Sequence, residues 1–264
     1  MKIPRISIIT PSFNQRRFIA RTIESVCAQD YPNIEYIVMD GGSTDGTVDI
    51  LKNGKWKMEN GKKNILFRWV SEKDNGQADA INTGLRKATG DIVGYLNSDD
   101  YYEPGAIRKV MEIFQKDKAV QWLTGDCRIV NEKGNEIERC IRFYKKAWRH
   151  IPLQYALPVL NPIAQPSTFW RKRVMDTLGT FKQTLTYAFD YDYWIRLSKQ
   201  YPLTVLPDTL SCFRIHKKSK GGSDYRLQFE EEMRIAKHHF DNPILLRLHR
   251  AHAKLTIWTY NRIK

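Results

Sequence analysis

The feature that most constrains the fold is the alternation of strand-like and helix-like segments over the first hundred residues. The strand-like runs, rich in β-branched and other apolar residues, are residues 6–10, 34–39, 65–70 and 92–96. The segments with helical spacing between them are residues 18–26, 44–51 and 78–88. Strands separated by helices pair in parallel, because each crossover returns the chain to the same end of the sheet. The sequence therefore predicts an α/β fold with a mostly parallel central sheet flanked by helices.

Polar or glycine-rich sequence follows each predicted strand. These strand-end segments are residues 10–14, 40–45, 72–77 and 97–100. Open α/β sheets bind ligands outside the carboxyl ends of their strands, so we expect the four segments to meet in one crevice. The last segment is acidic, and buried carboxylates there need a counter-charge such as a divalent cation with a phosphate. In the alternative interpretation, Ser98 or Asp99 caps the helix that starts near Pro104, while Asp100 is solvated.

The second half of the chain has a looser pattern. We predict helices over residues 106–114 and 193–199, strands over 120–124 and 168–170, a β-hairpin over 128–142 and a connector over 149–160. Two further strands, residues 203–206 and 210–215, are separated by Pro207 and Asp208. From Tyr225 onward the pattern predicts two helices, broken at Asn242 and Pro243.

Composition narrows the class of protein. The chain has 264 residues, 42% of them hydrophobic, which is enough for one large core. Its net charge of +14 predicts an anionic partner: a nucleic acid, a membrane surface or a phosphorylated substrate. The four cysteines are far apart, which indicates neither a zinc site nor a disulfide framework. With no apolar leader or membrane-spanning stretch in the sequence, we expect a cytoplasmic protein.

A series of motifs occurs in a fixed order between about residue 5 and residue 220. In sequence they are SIITPSFN (7–14), YIVMDGGSTDGT (36–47), DNGQADAINTG (74–84), GD (90–91), LNSDD (96–100), QPSTF (165–169), FDYDYW (189–194) and RIH (214–216). Together they resemble family 2 glycosyltransferases of the GT-A fold. The resemblance implies a Rossmann-like catalytic domain over residues 1–222, with a nucleotide-sugar-binding half (about 1–103) and an acceptor-binding half (about 104–222). Residues 223–264 are then a C-terminal helical extension.

The resemblance assigns the nucleotide to the first two strand ends. Thr10, Pro11 and Asn14 are expected to frame it. Asp40 is expected to read its base, because a carboxylate accepts the imide N–H that uracil has and cytosine lacks. The alternative role for Asp40 is an Asx turn before Gly41.

The third helix and the residues before it are expected to reach the ribose, the sugar or the phosphates. Asp79 and Asn82 lie three residues apart on one helix face, and a solvated face is the alternative. Gln77 opens the helix, and Asp74 precedes it. The helix N-terminus favours an anion, although Asp74 is equally well explained as a helix cap.

The acidic segment departs from the family's simplest Asp-x-Asp form, because its first residue is Asn97. The resemblance therefore leaves Asp99 as the main metal ligand, with Asn97 and Ser98 beside the nucleotide. His216 is expected to reach the metal or the diphosphate as a neutral imidazole, although a lone histidine is often structural. Mn²⁺ or Mg²⁺, held by one or two carboxylates and the diphosphate, would stabilise the leaving nucleoside diphosphate.

Asp190 is the predicted general base. The acceptor hydroxyl must lose a proton as it attacks the anomeric carbon, and one carboxylate opposite the leaving group is sufficient for inversion. The family commonly has a glutamate before this aspartate, where this chain has Phe189. Asp192 is interpreted as a helix cap. Residues 165–168 are expected to line the acceptor side.

The sequence thus predicts a metal-dependent, inverting glycosyltransferase that transfers a sugar from a nucleotide-diphosphate sugar, with a UDP-sugar favoured, to a polysaccharide or glycolipid. A sugar-phosphate nucleotidyltransferase is the alternative enzyme, but it would carry a basic, glycine-rich phosphate loop after the first strand. A non-catalytic nucleic-acid-binding protein would explain the charge, but no motif localises the aromatic and basic surface that it needs. No nucleic-acid partner is expected.

The C-terminal region mixes apolar and basic side chains, as helices at an anionic membrane surface do. Peripheral contact with the inner face of the cell membrane would suit a lipid-linked acceptor. Packing of these helices on the catalytic domain predicts the same pattern equally well.

Overall fold

The computed structural model describes residues 3–54, 64–217, 219 and 225–263. Within these residues, nine strands form one sheet. The strands are β1 (Ile6–Ser12), β2 (Asn33–Asp40), β3 (Asn64–Ser71), β4 (Ile92–Tyr95), β5 (Tyr101–Tyr102), β6 (Trp122–Val130), β7 (Glu136–Ile137), β8 (Thr168–Arg171) and β9 (Thr204–Arg214). The helices are α1 (Ile19–Cys27), α2 (Thr47–Asn53), α3 (Gln77–Lys87), α4 (Ala106–Lys116), α5 (Arg139–Trp148), α6 (Leu153–Ala156), α7 (Val174–Leu178), α8 (Phe189–Gln200), α9 (Tyr225–His239) and α10 (Pro243–Ile263).

The first four strands confirm the predicted parallel sheet. They lie in the order β3-β2-β1-β4, and each neighbouring pair is parallel. Every residue of β1 and β4 is buried, which is why these strands are almost continuously apolar in sequence. Because strands of this group run the same way, their carboxyl ends and the segments that follow them share one edge of the sheet.

The second half extends this sheet in mixed orientation. Strand β8 is antiparallel to both β4 and β6, whereas β9 is parallel to β6 and β5 is antiparallel to β9. The longest pairings in the sheet remain the parallel ones, as predicted. Strand β8 joins the strands of the second half to the parallel group through β4.

The predicted β-hairpin over residues 128–142 is largely wrong. Its first arm continues the strand predicted at 120–124, so that β6 is one strand, and β7 pairs with it over two residues only. The Asn131 side chain accepts N–H bonds from Lys133 and Asn135 and closes the turn at Gly134. The chain then enters α5, where the Arg142 guanidinium donates to Asp126, at 2.7 Å, and to Glu136. These long-range ion pairs have no local sequence signal.

The two predicted strands around Pro207 are also one element. Strand β9 runs through this proline, and its register against β6 shifts where Thr124 pairs with Val205 and Asp126 with Thr209. The irregularity accommodates Pro207 and Asp208, because proline is tolerated in strands at bulges. The predicted connector over 149–160 likewise contains the short helix α6.

Alternate residues of the strands pack into two hydrophobic clusters, as expected for a sheet with helices on both faces. One cluster is rich in aromatic rings, including Trp122, Trp170 and Trp194. Ile235 and Ala236 of α9 belong to the same cluster, so the C-terminal extension packs on the domain.

Helix α10 has a packed face and an exposed face. His249 is buried, with its Nδ1 3.1 Å from the Pro158 carbonyl oxygen. Ile244 and Leu255 are 65% and 62% exposed on the same helix. The break at Asn242 and Pro243 is confirmed. Among the described residues, no helix combines the length and apolarity that crossing a bilayer requires. The predicted boundary at residue 222 lies outside the described residues.

Candidate functional site

The strand-end segments of the first half converge as predicted. The backbone N–H of Asn14 donates to the Ser43 hydroxyl at 2.7 Å, and the Asn14 side-chain oxygen accepts from the Thr44 backbone N–H at 2.9 Å. Asn14 adopts a left-handed conformation with φ 52°, which asparagine tolerates better than most residues. Further along the same edge, the Gln77 side chain donates to the Asn97 side chain at 2.8 Å. The first two bonds join the segments after β1 and β2, and the third joins the segments after β3 and β4.

Gly41 allows the segment after β3 to approach β2. A Cβ atom at Gly41 would lie 2.7 Å from Asp74 Oδ2, closer than real side chains permit. The carboxylates of Asp40, Asp74 and Asp79 interact electrostatically here. Burial, together with the negative charges of Asp79 and Asp40, raises the pKa of the Asp74 carboxyl above its ordinary value. The three carboxylates at this edge therefore repel one another, and a hydrogen-bond donor or a cation bound there would reduce this repulsion.

Asp40 is buried, and its carboxylate accepts from the backbone three residues on, rather than two residues on as in the Asx turn of the alternative interpretation. Its Oδ2 accepts from the Ser43 N–H at 2.9 Å and from the Ser71 hydroxyl at 2.7 Å. Its Oδ1 accepts from the Ser43 hydroxyl at 2.6 Å. A carboxylate has about four acceptor positions, so three bonds leave it one more. These bonds and a contact with a base are therefore compatible.

The structure differs from the sequence prediction at Thr10. Its side chain is fully buried, and its hydroxyl lies 3.1 Å from the Tyr36 hydroxyl, which places it in the interior of the sheet. Pro11 is also buried, whereas Asn14 is exposed at the crevice. Any framing of the nucleotide by side chains after β1 thus falls to Asn14.

Asp79 and Asn82 share a face of α3, but that face meets another segment of the protein. The Asn82 side chain accepts from the Phe181 N–H at 3.0 Å and donates to the Phe181 carbonyl at 2.8 Å. Asp79 Oδ1 accepts from the Gln183 side chain at 2.8 Å. Asn82 therefore joins α3 to the segment before α8, rather than pointing at a ribose. Asp74 Oδ1 accepts from the Gly76 N–H at the start of α3.

The acidic segment after β4 is held by the tertiary structure. Asp100 is fully buried, and its Oδ1 accepts from the Arg214 N–H at 2.8 Å. The Thr22 hydroxyl bonds to the carbonyl oxygens of Ser98 and Asp100. Burial and the neighbouring charge of Asp99 raise the pKa of Asp100 well above its ordinary value. The capping alternative is wrong, because the residue that precedes the first turn of α4 is Gly105.

The two predicted metal ligands lie together. Asp99 Oδ2 is 3.0 Å from His216 Nε2, and the side chains are 16% and 5% exposed. The Phe18 ring packs on the imidazole with 4.5 Å between ring centroids. Within the described ranges, no cluster of three or more His, Cys, Asp or Glu residues surrounds a common point. One carboxylate and one imidazole fit a hard divalent cation that takes its remaining ligands from substrate phosphates and water.

The buried side chain of Arg214 lies beside the pair formed by Asp99 and His216. Arg214 is 4% exposed, and its Nε and Nη1 atoms make no hydrogen bond to the part of the chain that the structure describes. The guanidinium lies over the rings of Phe18 and Tyr101, at 4.8 Å and 5.2 Å from their centroids. These cation–π contacts orient the guanidinium, and its Nε and Nη1 N–H groups are left as hydrogen-bond donors for an anionic ligand.

Asn97 links this edge to a cavity on the acceptor side. Its Nδ2 donates to Gln165 Oε1 at 3.2 Å, and Gln165 Nε2 donates to the Tyr95 carbonyl at 2.8 Å. Gln165 lines a cavity of about 290 Å³. The polar and charged residues of its wall are Asp126, Glu138, Arg142, Lys145, Arg149, Asn161, Gln165, Asp190, Gln228, Glu232, His252 and Thr256.

Asp190 lies in the first turn of α8, on this cavity. Its Oδ1 accepts from the Tyr191 N–H at 2.8 Å. Pro166 lines the cavity as predicted, whereas Ser167 and Thr168 do not. They are buried, and their hydroxyls contact Ser211 and Thr124 at 2.6 Å and 2.8 Å.

Asp192 is not the predicted helix cap. It lies inside α8 and is almost fully buried, and its carboxylate accepts from Lys182, Arg196 and His239 at 2.8–2.9 Å. Although burial alone would raise the pKa of Asp192, these contacts hold it below its ordinary value. The residue joins α8 to α9 through His239.

Sequence reasoning missed the cavity wall formed by α5 and α9, although packing of the C-terminal helices on the domain was one of its two alternatives. Arg149, which follows α5, is 5% exposed and donates to Asp126 at 2.5 Å. Glu232 of α9 lines the same wall. The polar spacing of α9 resembles an ordinary solvated face, so its burial could not be read from the sequence.

Two sets of relatives resemble this chain. Chondroitin synthase of Escherichia coli is 28% identical over 201 residues, which cover 76% of this chain and 27% of that protein. Hyaluronan synthase of Pasteurella multocida is 27% identical over 198 residues, which cover 75% of this chain and 19% of that protein. The chain spans less than a third of the length of either curated relative.

Among solved structures, mannosyltransferase PcManGT from Pyrobaculum calidifontis, in complex with GDP-Man and Mn²⁺, superposes with a TM-score of 0.70 at 20% identity. The alignment covers 97% of this chain and 70% of that one. TarS 1-349 of S. aureus, in complex with UDP-GlcNAc, superposes with a TM-score of 0.67 at 20% identity and covers 89% of this chain and 66% of that one. These superpositions confirm the predicted GT-A fold. The family model described as Glycosyl transferase family 2 matches residues 7–179, so this chain belongs to that glycosyltransferase family.

Proposed function

We propose that the protein transfers a sugar from a nucleotide-diphosphate sugar, a UDP-sugar being favoured, to a saccharide acceptor with inversion at the anomeric carbon. The observation that carries the proposal is the link between two sites. The edge that holds Asp99 and His216 is joined through Asn97 and Gln165 to a cavity that contains Asp190. Family membership sets aside the nucleotidyltransferase and nucleic-acid-binding alternatives.

On the donor side, Asp40 would accept the uracil imide N–H with its remaining acceptor position. The Ser43 and Ser71 hydroxyls fix the orientation of its carboxylate. Asn14 would frame the nucleotide, and we propose ribose or sugar contacts for Asp74, Gln77 and Asn97 on the same edge. Ser98 is buried, and Asp79 is bonded to Gln183. The two solved relatives are complexes with UDP-GlcNAc and GDP-Man. A carboxylate at Asp40 accepts the ring N–H of uracil and equally that of guanine, so Asp40 disfavours cytosine and the donor panel decides between UDP- and GDP-sugars.

Asp99 and His216 would hold Mn²⁺ or Mg²⁺ together with the diphosphate. Such an ion supplies charge neutralisation for the leaving nucleoside diphosphate. Arg214 would add a hydrogen-bonding cation next to the same phosphates, because two of its buried nitrogens retain their donors. His216 is fixed against Phe18, so the imidazole needs little reorganisation when the donor binds.

On the acceptor side, Asp190 would take the proton from the attacking hydroxyl. In this proposal, the base in the cavity and the leaving group at the neighbouring edge would lie on opposite sides of the transferred sugar, which is the arrangement that inversion requires. Gln165 contacts both regions and would orient the sugar between them.

The acceptor is proposed to be a growing polysaccharide or a lipid-linked glycan. Both curated relatives named above are polysaccharide synthases. The exposed apolar side chains of α10 and the net charge of +14 would favour peripheral contact with the anionic inner face of a cell membrane.

A panel of nucleotide sugars tests the function. We would incubate the protein with Mn²⁺, UDP- and GDP-sugars, and p-nitrophenyl glycosides or chondroitin and hyaluronan tetrasaccharides as acceptors, and measure nucleotide release and the glycan product. Acceptor-dependent release of UDP with an inverted product supports the proposal. No transfer from any donor, or no thermal stabilisation by UDP with Mn²⁺ beyond either alone, contradicts it.

Vesicle sedimentation tests the membrane contact separately. We expect binding to vesicles containing phosphatidylglycerol but not to neutral phosphatidylcholine vesicles. Replacing exposed Leu248 and Leu255 with serine should reduce this binding without changing the melting temperature. Equal binding of the variant and the original protein would contradict a role for this face.

A further inference from the structure

Helix α9 places two adjacent glutamates against the region that carries Asp190. Glu231 accepts backbone N–H bonds from Tyr187, at 2.6 Å, and Ala188, at 2.7 Å, immediately before α8. Glu232, the next residue, lines the cavity that also contains Asp190. It is 5% exposed, and its Oε1 accepts from the Gln228 side chain at 2.9 Å. A buried carboxyl therefore lies on the acceptor cavity with one hydrogen bond from the protein to that oxygen.

The surroundings of Glu232 favour its neutral form. Burial raises the pKa of Glu232 to about 7, Gln228 and Lys145 lower it, and the charges of Asp190 and Glu231 raise it. A protonated carboxyl offers an O–H donor, whereas an ionised carboxylate only accepts. With a pKa of about 7, part of the Glu232 population carries a proton at neutral pH and can donate a hydrogen bond in the cavity that Asp190, the proposed base, also lines.

Two other titratable groups of the wall, Asp126 and His252, differ from Glu232, whereas Glu138 resembles it. Although burial would raise the pKa of Asp126, its bonds with Arg149 and Arg142 lower it. Burial and the charges of His249 and Lys145 lower the pKa of His252 to about 4. Glu138, at the start of α5, also has a pKa raised by burial and opposed by Lys145.

We propose that Glu232 is an acceptor-binding residue, which donates a hydrogen bond from its protonated carboxyl to an oxygen of the saccharide that Asp190 deprotonates. The proposal rests on the proposed function, because it requires a saccharide in this cavity. It assigns the C-terminal extension a direct part in recognising the acceptor. The donor site, on the opposite side of Asn97, is not involved.

Steady-state kinetics with the best p-nitrophenyl glycoside of the panel test this assignment. For the original protein, we expect the acceptor KM to rise severalfold between about pH 6 and pH 8.5 as Glu232 ionises. Glu232→Gln keeps a hydrogen-bond donor but cannot ionise, so its acceptor KM should stay within about threefold of the low-pH value and lose this rise. Glu232→Ala should increase the acceptor KM by roughly tenfold, with the donor KM unchanged.

Glu230→Gln is the matched control, because Glu230 is the exposed neighbour on the same helix and undergoes the same chemical change. It should leave both KM values and the pH profile unaltered. The proposal is overturned if Glu232→Gln retains the pH dependence of the original protein, or if the acceptor KM of a folded Glu232→Ala variant is unchanged. If the original protein itself transfers no sugar to any glycan, the proposed function fails and the assignment of Glu232 fails with it. Melting temperatures establish that each variant is folded, and Glu232→Gln decides the question if the alanine variant is not.

Discussion

The halves of the molecule that we propose to bind the donor and the acceptor are assembled in different ways. On the proposed donor side, the segments that follow the first four strands bond to one another, as Asn14 after β1 does to Thr44 after β2 and Gln77 after β3 does to Asn97 after β4. On the acceptor side, Asp190 lies next to a backbone segment that is held by Glu231, a residue from the C-terminal extension. The donor edge thus follows from the topology of the sheet, whereas the acceptor cavity depends on elements added to it.

This difference suggests how the two halves can change independently. A donor edge fixed by parallel strands is constrained by the core of the protein, since Asp100 and Thr22 are buried beneath it. The cavity wall is formed by α5, α9 and α10, and these helices can be altered with less disturbance of the sheet. We therefore expect substitutions at the donor edge to affect donor and metal binding, and substitutions at the cavity to affect transfer and acceptor use.

The largest effect is expected for Asp190→Asn. Loss of the general base should reduce acceptor-dependent transfer by about a thousandfold, because proton removal contributes that order of magnitude. Stabilisation by UDP with Mn²⁺, measured by thermal shift, should be retained, because Asp190 lies on the acceptor side. Loss of nucleotide binding in this variant would instead give Asp190 a structural role and break the proposed separation of the halves.

Asp99→Asn should have the next largest effect, on the opposite half. We expect at least about a hundredfold loss of transfer, because the variant removes the carboxylate charge from the proposed metal site. The extra thermal stabilisation that Mn²⁺ gives in the presence of UDP should disappear. Asp49→Asn, an exposed position on α2, serves as the control and should behave like the original protein. Unchanged metal dependence in Asp99→Asn would exclude Asp99 as the principal ligand.

Glu231→Gln tests the dependence of the acceptor side on the extension. A neutral amide oxygen accepts the N–H bonds from residues 187 and 188 more weakly, so the free energy of unfolding should fall by about 1–2 kcal/mol. Because the segment before Asp190 is loosened, kcat should fall by roughly tenfold, whereas the affinity for UDP should be unchanged. Urea unfolding and steady-state kinetics measure the two effects. A kcat equal to that of the Glu230→Gln control would show that Glu231 does not position the base.

Asp192→Asn should act mainly on stability. The variant leaves Lys182, Arg196 and His239 without their carboxylate, and we expect a loss of about 3 kcal/mol in the free energy of unfolding at pH 7. The pKa of Asp192 is lowered on folding, so its contribution is present above the ordinary aspartate value and is lost as the pH falls through the folded value. The difference between the variant and the original protein should therefore shrink between about pH 5 and pH 2. A difference that is independent of pH would contradict an ionic role.

The first half of the fold was predictable because its signals are local. Each buried strand is a short apolar run, and each ends at a polar or glycine-rich segment. The hairpin over 128–142 was mispredicted because α5 is stabilised by the contacts of Arg142 with Asp126 and Glu136, which no local pattern reveals. Asp192 was assigned a capping role for the same reason, since two of its partners, Lys182 and His239, lie outside α8.

The residues of the candidate site also differ in how far the local sequence predicts their surroundings. Asp99 and His216 could be predicted because each follows a strand within an ordered motif, and the structure brings them to 3.0 Å. Thr10 and Asn82 occur in equally specific motifs, but their side chains face Tyr36 and Phe181 in the interior. A motif thus identifies a segment that belongs to the site, without distinguishing the side chains that face the ligand from those that support the loop.

The amino-acid sequence by itself determined the parallel sheet, its binding edge and the family, because strand periodicity, strand-end residues and motif order are all encoded over short stretches. Only the tertiary structure decided which carboxylates meet, and that the C-terminal helices form a wall of the cavity. Glu231 and Glu232 are adjacent in a polar helix, and their burial depends on α8 and α5 packing against them. The physical reason is that burial and charge pairing depend on surroundings assembled from distant segments of the chain. They change the pKa and the role of a residue, and the residues next to it in sequence do not reveal this change.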